Sequence, residues 1–277
     1  MSKPKYIINH KPSSSEKHVN EFKLQTENHS TMLLKARVQS FPVAYTLSSK
    51  YTLNILDQGA LGSCVVNSFA SIINSYYNVN TSRLYHYYIC RVGTNNLANE
   101  DSGLDLLQSI PLLQSYGLVA ETFCPYNTRN YSISPPLIAY KNADTTKAFK
   151  IVPISQTETA IKTSLSNSFF VMLGIMVYDS FLSSQVALNG LVPMPDTSKE
   201  KIQGGHCIHI VGWCVINNVS YFIIRNSWGK SWGNDGNSTP TTPFTFRNNG
   251  TNGGYCYIPF TYILNNSLAF ELCQVTK

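Results

Sequence analysis

No stretch of the 277-residue sequence reaches the roughly 18 consecutive apolar residues that a bilayer crossing needs. The longest, Phe169 to Tyr178, is interrupted by Gly174 and closed by Asp179, so no membrane partner is expected. The opening residues, MSKPKYIINHKPSSSEKH, are basic but lack the apolar centre and small-residue cleavage site of a secretory leader. Charge is scarce, at 13% of residues, and the net +6 is uneven: seven Lys and Arg fall in the first 40 residues against only Glu16, Glu21 and Glu27. The remaining fourteen basic and twelve acidic residues leave a field too weak to argue for a nucleic-acid partner. Seven cysteines at irregular spacing, an odd number, exclude a disulfide framework and leave at least one thiol free. CxxC and HxxxH spacings are missing, and His206 and Cys207 face opposite sides of any strand, so His206, Cys207, His209 and Cys214 are not expected to hold a metal. No internal repeat is found.

What is present divides the chain. Residues 1–40 are rich in Ser, Lys and Asn and read as an arm too polar to fold alone, with a boundary near Phe41-Pro42. Val65, Phe69, Ile72, Ile73 and Tyr76 recur at helical spacing and predict a buried helix from about Cys64 to Tyr77. Leu104, Leu107, Ile110 and Leu113 predict a second helix over roughly 102–116. The second half instead offers short β-rich runs, FFVMLGIMVY, HCIHIVGWCVI and SYFIIRNSW, parted by Asn, Gly and Pro. Val215 to Ser220, centred on Asn217-Asn218, predicts a hairpin turn, and Asn234 to Gly254 a loop. The expectation is an α+β protein with helices first, a sheet second and the site between them, divided as 1–40, 41–150 and 151–277.

The chemistry centres on Cys64, which the glycine-rich turn Asp57-Gln58-Gly59-Ala60-Leu61-Gly62-Ser63 delivers to the start of a helix. Unpaired N–H groups and the positive helix end favour an anion there, so the thiol pKa is expected to fall. His206, at the mouth of a strand, would serve as its base, with His209 on the opposite face. Asn226 would accept a hydrogen bond from one ring nitrogen of His206 and direct the other at Cys64. Trp228 would shield that bond, and Gln58 would add an amide N–H to the Cys64 backbone N–H as an oxyanion hole. His86, Cys90, Cys124, Cys256 and Cys273 are read as core residues.

The blocks QGALGSC, GGHCIHIVGW and RNSWGKSWG together resemble the three signature blocks of the papain family of cysteine peptidases. His206 follows Cys64 by 142 positions, inside the family's spacing of about 130–150. The resemblance implies a helical left subdomain, a β-barrel-like right subdomain and an active site in the cleft between them. It implies catalytic roles for Cys64, His206, Asn226 and Gln58, with support from Trp228. Ser102 and Gly103 match the pair whose backbone bonds an extended substrate. Leu104, Gly174, Gly205 and Cys207 match the pocket for the second residue before the bond cut. The motif style is nearest compact bacterial and large-DNA-virus members, since Leu61 replaces a disulfide cysteine and Val65 an aromatic residue. An insertion at 237–252 interrupts what is normally a short turn.

The function so implied is endopeptidase cleavage through a Cys64 thioester, with no cofactor, on a protein or peptide substrate and by a monomer. An acyl transferase or transpeptidase of the same fold, or a silent peptide-binding scaffold, are the alternatives. Residues 1–40 would be a short inhibitory pro-segment anchored by Tyr6-Ile7-Ile8 and Met32-Leu33-Leu34 and lacking a long helical pro-domain pattern. A disordered tail or a binding arm for an acidic partner is the plainer reading. A cytoplasmic or virion-associated location is expected over a secreted one.

Overall fold

Why the chain folds as it does is clearest in its second half. The computed structural model describes residues 7–34, 40–236 and 252–277, and the side chains of 29–34 also lie outside that description. Tyr6, the side chains of Met32-Leu33-Leu34 and most of the 237–252 insertion are thus outside it. Strands β1 (Tyr45–Thr46), β2 (Lys150–Pro153), β3 (Phe170–Tyr178), β4 (Ile202–Ile216), β5 (Val219–Arg225), β6 (Tyr255–Pro259) and β7 (Ala269–Thr276) form one sheet in the order β2-β7-β3-β4-β5-β6, with β1 on β4. Every pairing among them is antiparallel. β4 and β5 close on Asn217 and Asn218, with φ of 49° and 63°. Asn tolerates that left-handed pair, and it matches the strand twist.

Four helices matter for the site. α1 (Glu16–Leu34) lies in the arm, a long helix where the sequence suggested none. Its mean hydropathy is low, and among its described side chains Phe22 packs against the core. That explains the miss: the helix rests on docking, not on a broad apolar stripe. α2 (Cys64–Tyr77) is buried along nearly its whole length and ends at Asn78 in a left-handed cap. α3 (Arg83–Gly93), capped by Ser82, was not read from sequence because its Tyr-His-Tyr-Tyr run is mostly buried and shows no clean stripe. α4 (Leu106–Ser115) starts later than the periodicity suggested. Gly103 takes φ +72° and Asp105 caps the amide of Gln108, so the helix cannot begin before them.

α2 is fastened to the sheet by a buried polar network. Arg225 donates from Nε to His209 Nε2 at 2.7 Å, and from its two terminal nitrogens to Ser75 Oγ at 3.1 Å and the Ser71 carbonyl at 2.9 Å. His209 Nδ1 lies 2.8 Å from Ser68 Oγ. Burial, with Arg225 adding to it, holds His209 well below its usual pKa, so it serves as a neutral strut. All seven cysteines are buried free thiols. No helix among the described residues is long and apolar enough to cross a membrane.

Candidate active site

The turn before α2 is held from three sides. Asp57 Oδ1 accepts from the Gly59 amide, the Asp101 carboxylate accepts from the Gly62 amide at 3.0 Å, and Tyr126 donates to the Gln58 carbonyl at 2.9 Å while its oxygen lies 2.6 Å from Ser63 Oγ. Gly59 at φ +58° supplies the reversal. Cys64 follows as the first residue of α2, fully buried, where helix amides have no intrahelical partner.

His206 comes from β4, opposite Ile175 of β3, and Asn226 follows the end of β5. His206 Nε2 is 2.8 Å from Asn226 Oδ1, which also accepts from the Ser227 amide at 2.8 Å. That second bond fixes the amide with oxygen toward the ring, so Nε2 carries the proton. Nδ1 keeps its lone pair and is buried without a hydrogen bond. Trp228 stacks on the imidazole at 4.9 Å between ring centres and 25° between planes, and is itself wedged edge-on against Phe181 and Trp232. Gln58 is anchored through its Oε1, which accepts from Ser227 Oγ at 2.7 Å.

The arm runs through this site. Gln58 Nε2 donates to the Ile7 carbonyl at 3.1 Å as well as to Leu61 at 3.0 Å. Asn9 Nδ2 donates to the Asp101 carbonyl at 2.9 Å, and the His10 amide donates to the Gly205 carbonyl at 2.8 Å in an antiparallel bridge. A Cβ on Gly103 would collide with the Asn9 carbonyl, and one on Gly205 with the His10 carbonyl. The His10 side chain fills the space left by Gly174, beside Leu104, whose carbonyl is 3.0 Å from Nδ1. Sequence reasoning therefore brought Gln58, Gly103, Leu104, Gly174 and Gly205 to one cleft. Ser102 Oγ donates to the carbonyl of its own neighbour, Gly103, at 3.2 Å. The backbone amide of Cys207 reaches toward Cys64. Sequence reasoning missed Asp101, Tyr126, His10 and Glu271. Only Glu271, a lone acid in the apolar run AFELCQV, carried a visible signal.

Comparison with known proteins settles the kinship. A family profile described as papain family cysteine protease matches residues 42–239, and an uncharacterized peptidase C1-like protein of Acanthamoeba polyphaga mimivirus is 32% identical over 236 residues, spanning 79% of this chain and 68% of that one. The chain belongs to the papain family of cysteine proteases. A cysteine proteinase of Brassica napus is 28% identical over 205 residues, 72% of this chain and 59% of its own length. Xylellain, a cysteine protease from Xylella fastidiosa, superposes with TM-score 0.73 at 22% identity over 100% of this chain and 99% of that one. Digestive procathepsin L 3 of Tenebrio molitor gives TM-score 0.58 at 16% identity over 96% and 94%. These likenesses establish the α+β papain-like fold.

In this papain-family chain the electrostatics differ from the expectation of a lowered thiol pKa. Burial pushes the Cys64 thiol up to about 11, against backbone amides of Cys207, Val65, Cys64 itself and Asn9 that pull it down. Burial likewise brings His206 down to about 4, partly offset by the bond to Asn226. Both groups are wholly shielded, with the arm over the cleft. The helix start still favours a thiolate, but the exclusion of water outweighs it.

Proposed function

We propose that this cysteine peptidase cuts peptide bonds through a Cys64 thioester and is held closed by residues 7–15. His206 Nδ1 takes the thiol proton as Sγ attacks the carbonyl carbon. Gln58 Nε2 and the Cys64 amide receive the oxyanion. The C–N bond breaks, His206 returns the proton to the departing amine, and the acyl group remains on sulfur. Water then loses a proton to His206 and attacks the thioester, the C–S bond breaks and the thiol is restored. Asn226 holds the imidazole, and Trp228 keeps water from that hydrogen bond. The observation that carries this reading is the His206–Asn226 bond of 2.8 Å with Nδ1 left unpaired in the same cleft as Gln58.

The arm's position explains why it is not itself the substrate. A productive peptide places in the pocket the second residue before the carbonyl that meets the oxyanion donors. Here the carbonyl at Gln58 belongs to Ile7, whereas the pocket holds His10, three residues after it. The arm thus runs backwards relative to a substrate and offers no bond in attacking geometry. Cleavage or release of the arm restores water to the cleft, and the Cys64 and His206 pKa values move toward each other. The test is turnover of a fluorogenic peptide before and after limited proteolysis of the arm, in wild type and in Cys64→Ser. Activity that rises on arm cleavage and is absent from the serine variant is expected. Turnover by Cys64→Ser would remove the nucleophile assignment.

A further inference from the structure

One peptide unit in the turn before α2 is gripped at both ends. Its N–H, the Gly62 amide, donates to both carboxylate oxygens of Asp101, each at 3.0 Å. Its carbonyl, that of Leu61, accepts from Gln58 Nε2 at 3.0 Å and from the Ser63 amide at 2.7 Å. Of the two hydrogens on Gln58 Nε2, one is therefore committed to Leu61. The other points into the cleft, where the Ile7 carbonyl takes it at 3.1 Å. The direction of that second hydrogen depends on which way the 61–62 peptide faces. Type I and type II turns differ by a reversal of one peptide, and the second type needs glycine after it, so Gly62 would let this peptide turn over at little cost. Asp101 is braced against following such a movement. Tyr87, wholly buried in α3, donates from its hydroxyl to Asp101 Oδ1. The same hydroxyl accepts from the Gly103 amide at 3.3 Å, and the Arg91 guanidinium lies over the Tyr87 ring at 4.5 Å. A negative charge on the turn that carries Cys64 disfavours a thiolate there, so the place of this carboxylate calls for a reason other than electrostatics.

We propose that Asp101 is a positioning residue for the oxyanion hole. By holding the Gly62 amide it fixes the Leu61 carbonyl, that carbonyl fixes the Gln58 side-chain amide, and the remaining N–H of Gln58 is thereby aimed at the substrate oxygen. Ser227 Oγ holds the other end of the same side chain, through Oε1 at 2.7 Å. A single anchor at the oxygen leaves the amide plane free to tilt, and the Leu61 carbonyl supplies the second. The tilt matters because a donor stabilises an oxyanion only when it lies about 2.7–3.1 Å from where the charge develops. Asp101 itself touches neither substrate nor reacting atoms, and its effect runs through Gln58. The inference rests on the peptidase reading, in which Gln58 is an oxyanion donor. The grip on the 61–62 peptide rests on the geometry alone.

The test is a double-mutant cycle on the full-length chain after limited proteolysis of its arm. With Gln58 present, Asp101→Ala is expected to lower kcat about tenfold or more, with a smaller change in KM. In Gln58→Ala, where no donor remains to be aimed, the same substitution should cost less than about threefold. Asp101→Asn, whose Oδ1 can still accept from both the Gly62 amide and Tyr87, should recover most of the loss. A carboxylate that only stabilised the fold would cost the same factor in both backgrounds. That outcome, or an unchanged kcat in Asp101→Ala, would overturn the proposal. Should Asp101→Ala fail to fold, Tyr87→Phe removes only the hydroxyl that braces the carboxylate. A loss of kcat seen with Gln58 and absent in Gln58→Ala is then expected, and an equal loss in both, or none in either, overturns the proposal. A Gln58→Ala variant with wild-type kcat would remove the oxyanion reading and this inference with it, whereas additivity on an impaired Gln58→Ala removes this inference alone. If no peptide is turned over, the peptidase reading fails and hydrogen exchange in the intact chain, read by NMR, decides the grip. The Gln58 side-chain hydrogen bonded to Leu61 should exchange about tenfold faster in Asp101→Ala than in wild type or Asp101→Asn, and equal exchange in all three would overturn the proposal.

Discussion

His206 shows how much a single hydrogen bond decides. Because Asn226 Oδ1 is fixed by the Ser227 amide, the ring has one tautomer and one free lone pair. Asn226→Ala should therefore lower kcat more than it changes KM, since the substrate cleft is untouched while the imidazole loses its orientation; steady-state kinetics on the arm-cleaved enzyme checks this. For Cys64, a thiol raised to about 11 means that alkylation of the intact chain by iodoacetamide should climb about tenfold per pH unit toward that value. A plateau below pH 8 would show an activated thiolate already present under the arm. His10 and Glu271 give the arm a pH optimum. Burial raises Glu271 from 4.5 to about 8, so its contribution to the bound arm is complete below 4.5 and lost as pH rises through 8. Burial lowers His10 from 6.5, so its contribution is complete above 6.5 and lost as pH falls. Asp105, near both groups, raises both values, and the Ser13 amide lowers that of Glu271. Protection of the residue 10 amide should thus be greatest between 4.5 and 6.5 and weaken on either side, and in Glu271→Gln the alkaline decline should disappear.

Among the elements, legibility in the sequence followed packing. α2 was legible end to end because its apolar stripe is buried and a glycine turn precedes it. The β4–β5 turn was legible because two consecutive asparagines suit a left-handed pair. Cys64, Gln58, His206 and Asn226 could be proposed because each lies in a local motif, whereas Asp101 and Tyr126 act on the Gly59 turn from distant segments and leave no local mark. Glu271 stood out only as a lone acid in an apolar run, and its burial was not legible because the β7 bulge buries three consecutive residues, Glu271, Leu272 and Cys273, where alternation would bury every second one. α1 was illegible for the reason that makes it weak: it lies against β2 and α4 with Phe22 packed on the core, beside a cleft of about 290 Å³ lined by His18, Phe22, Leu107, Ile110, Gln114 and Ile151. Phe22→Ala should cost about 1–2 kcal/mol of docking, less than for a fully buried ring. In hydrogen exchange, the α1 amides should then lose protection while those of α2 keep theirs.

In the whole molecule, residues 7–13 form a strap across both sides of the cleft, bonding Gln58, Asp101 and Leu104 on one and Gly205 and Glu271 on the other. Its loss should lower the melting temperature as well as raise turnover, because Glu271 and the glycine floor are left facing a void; differential scanning calorimetry before and after arm cleavage reads this. The strap is also covalently part of the chain whose site it fills, which makes its binding a unimolecular event. Joining strap and site in one chain gives an effective concentration typically in the mM range. A strap whose intrinsic affinity is only about 100 μM would then close roughly nine molecules in ten, yet the same peptide, cut free at about 1 μM, would occupy about one site in a hundred. A single cut in the tether therefore acts as a dilution step: nothing in the cleft needs to change for the enzyme to open, and adding the severed peptide back should inhibit only near its own dissociation constant.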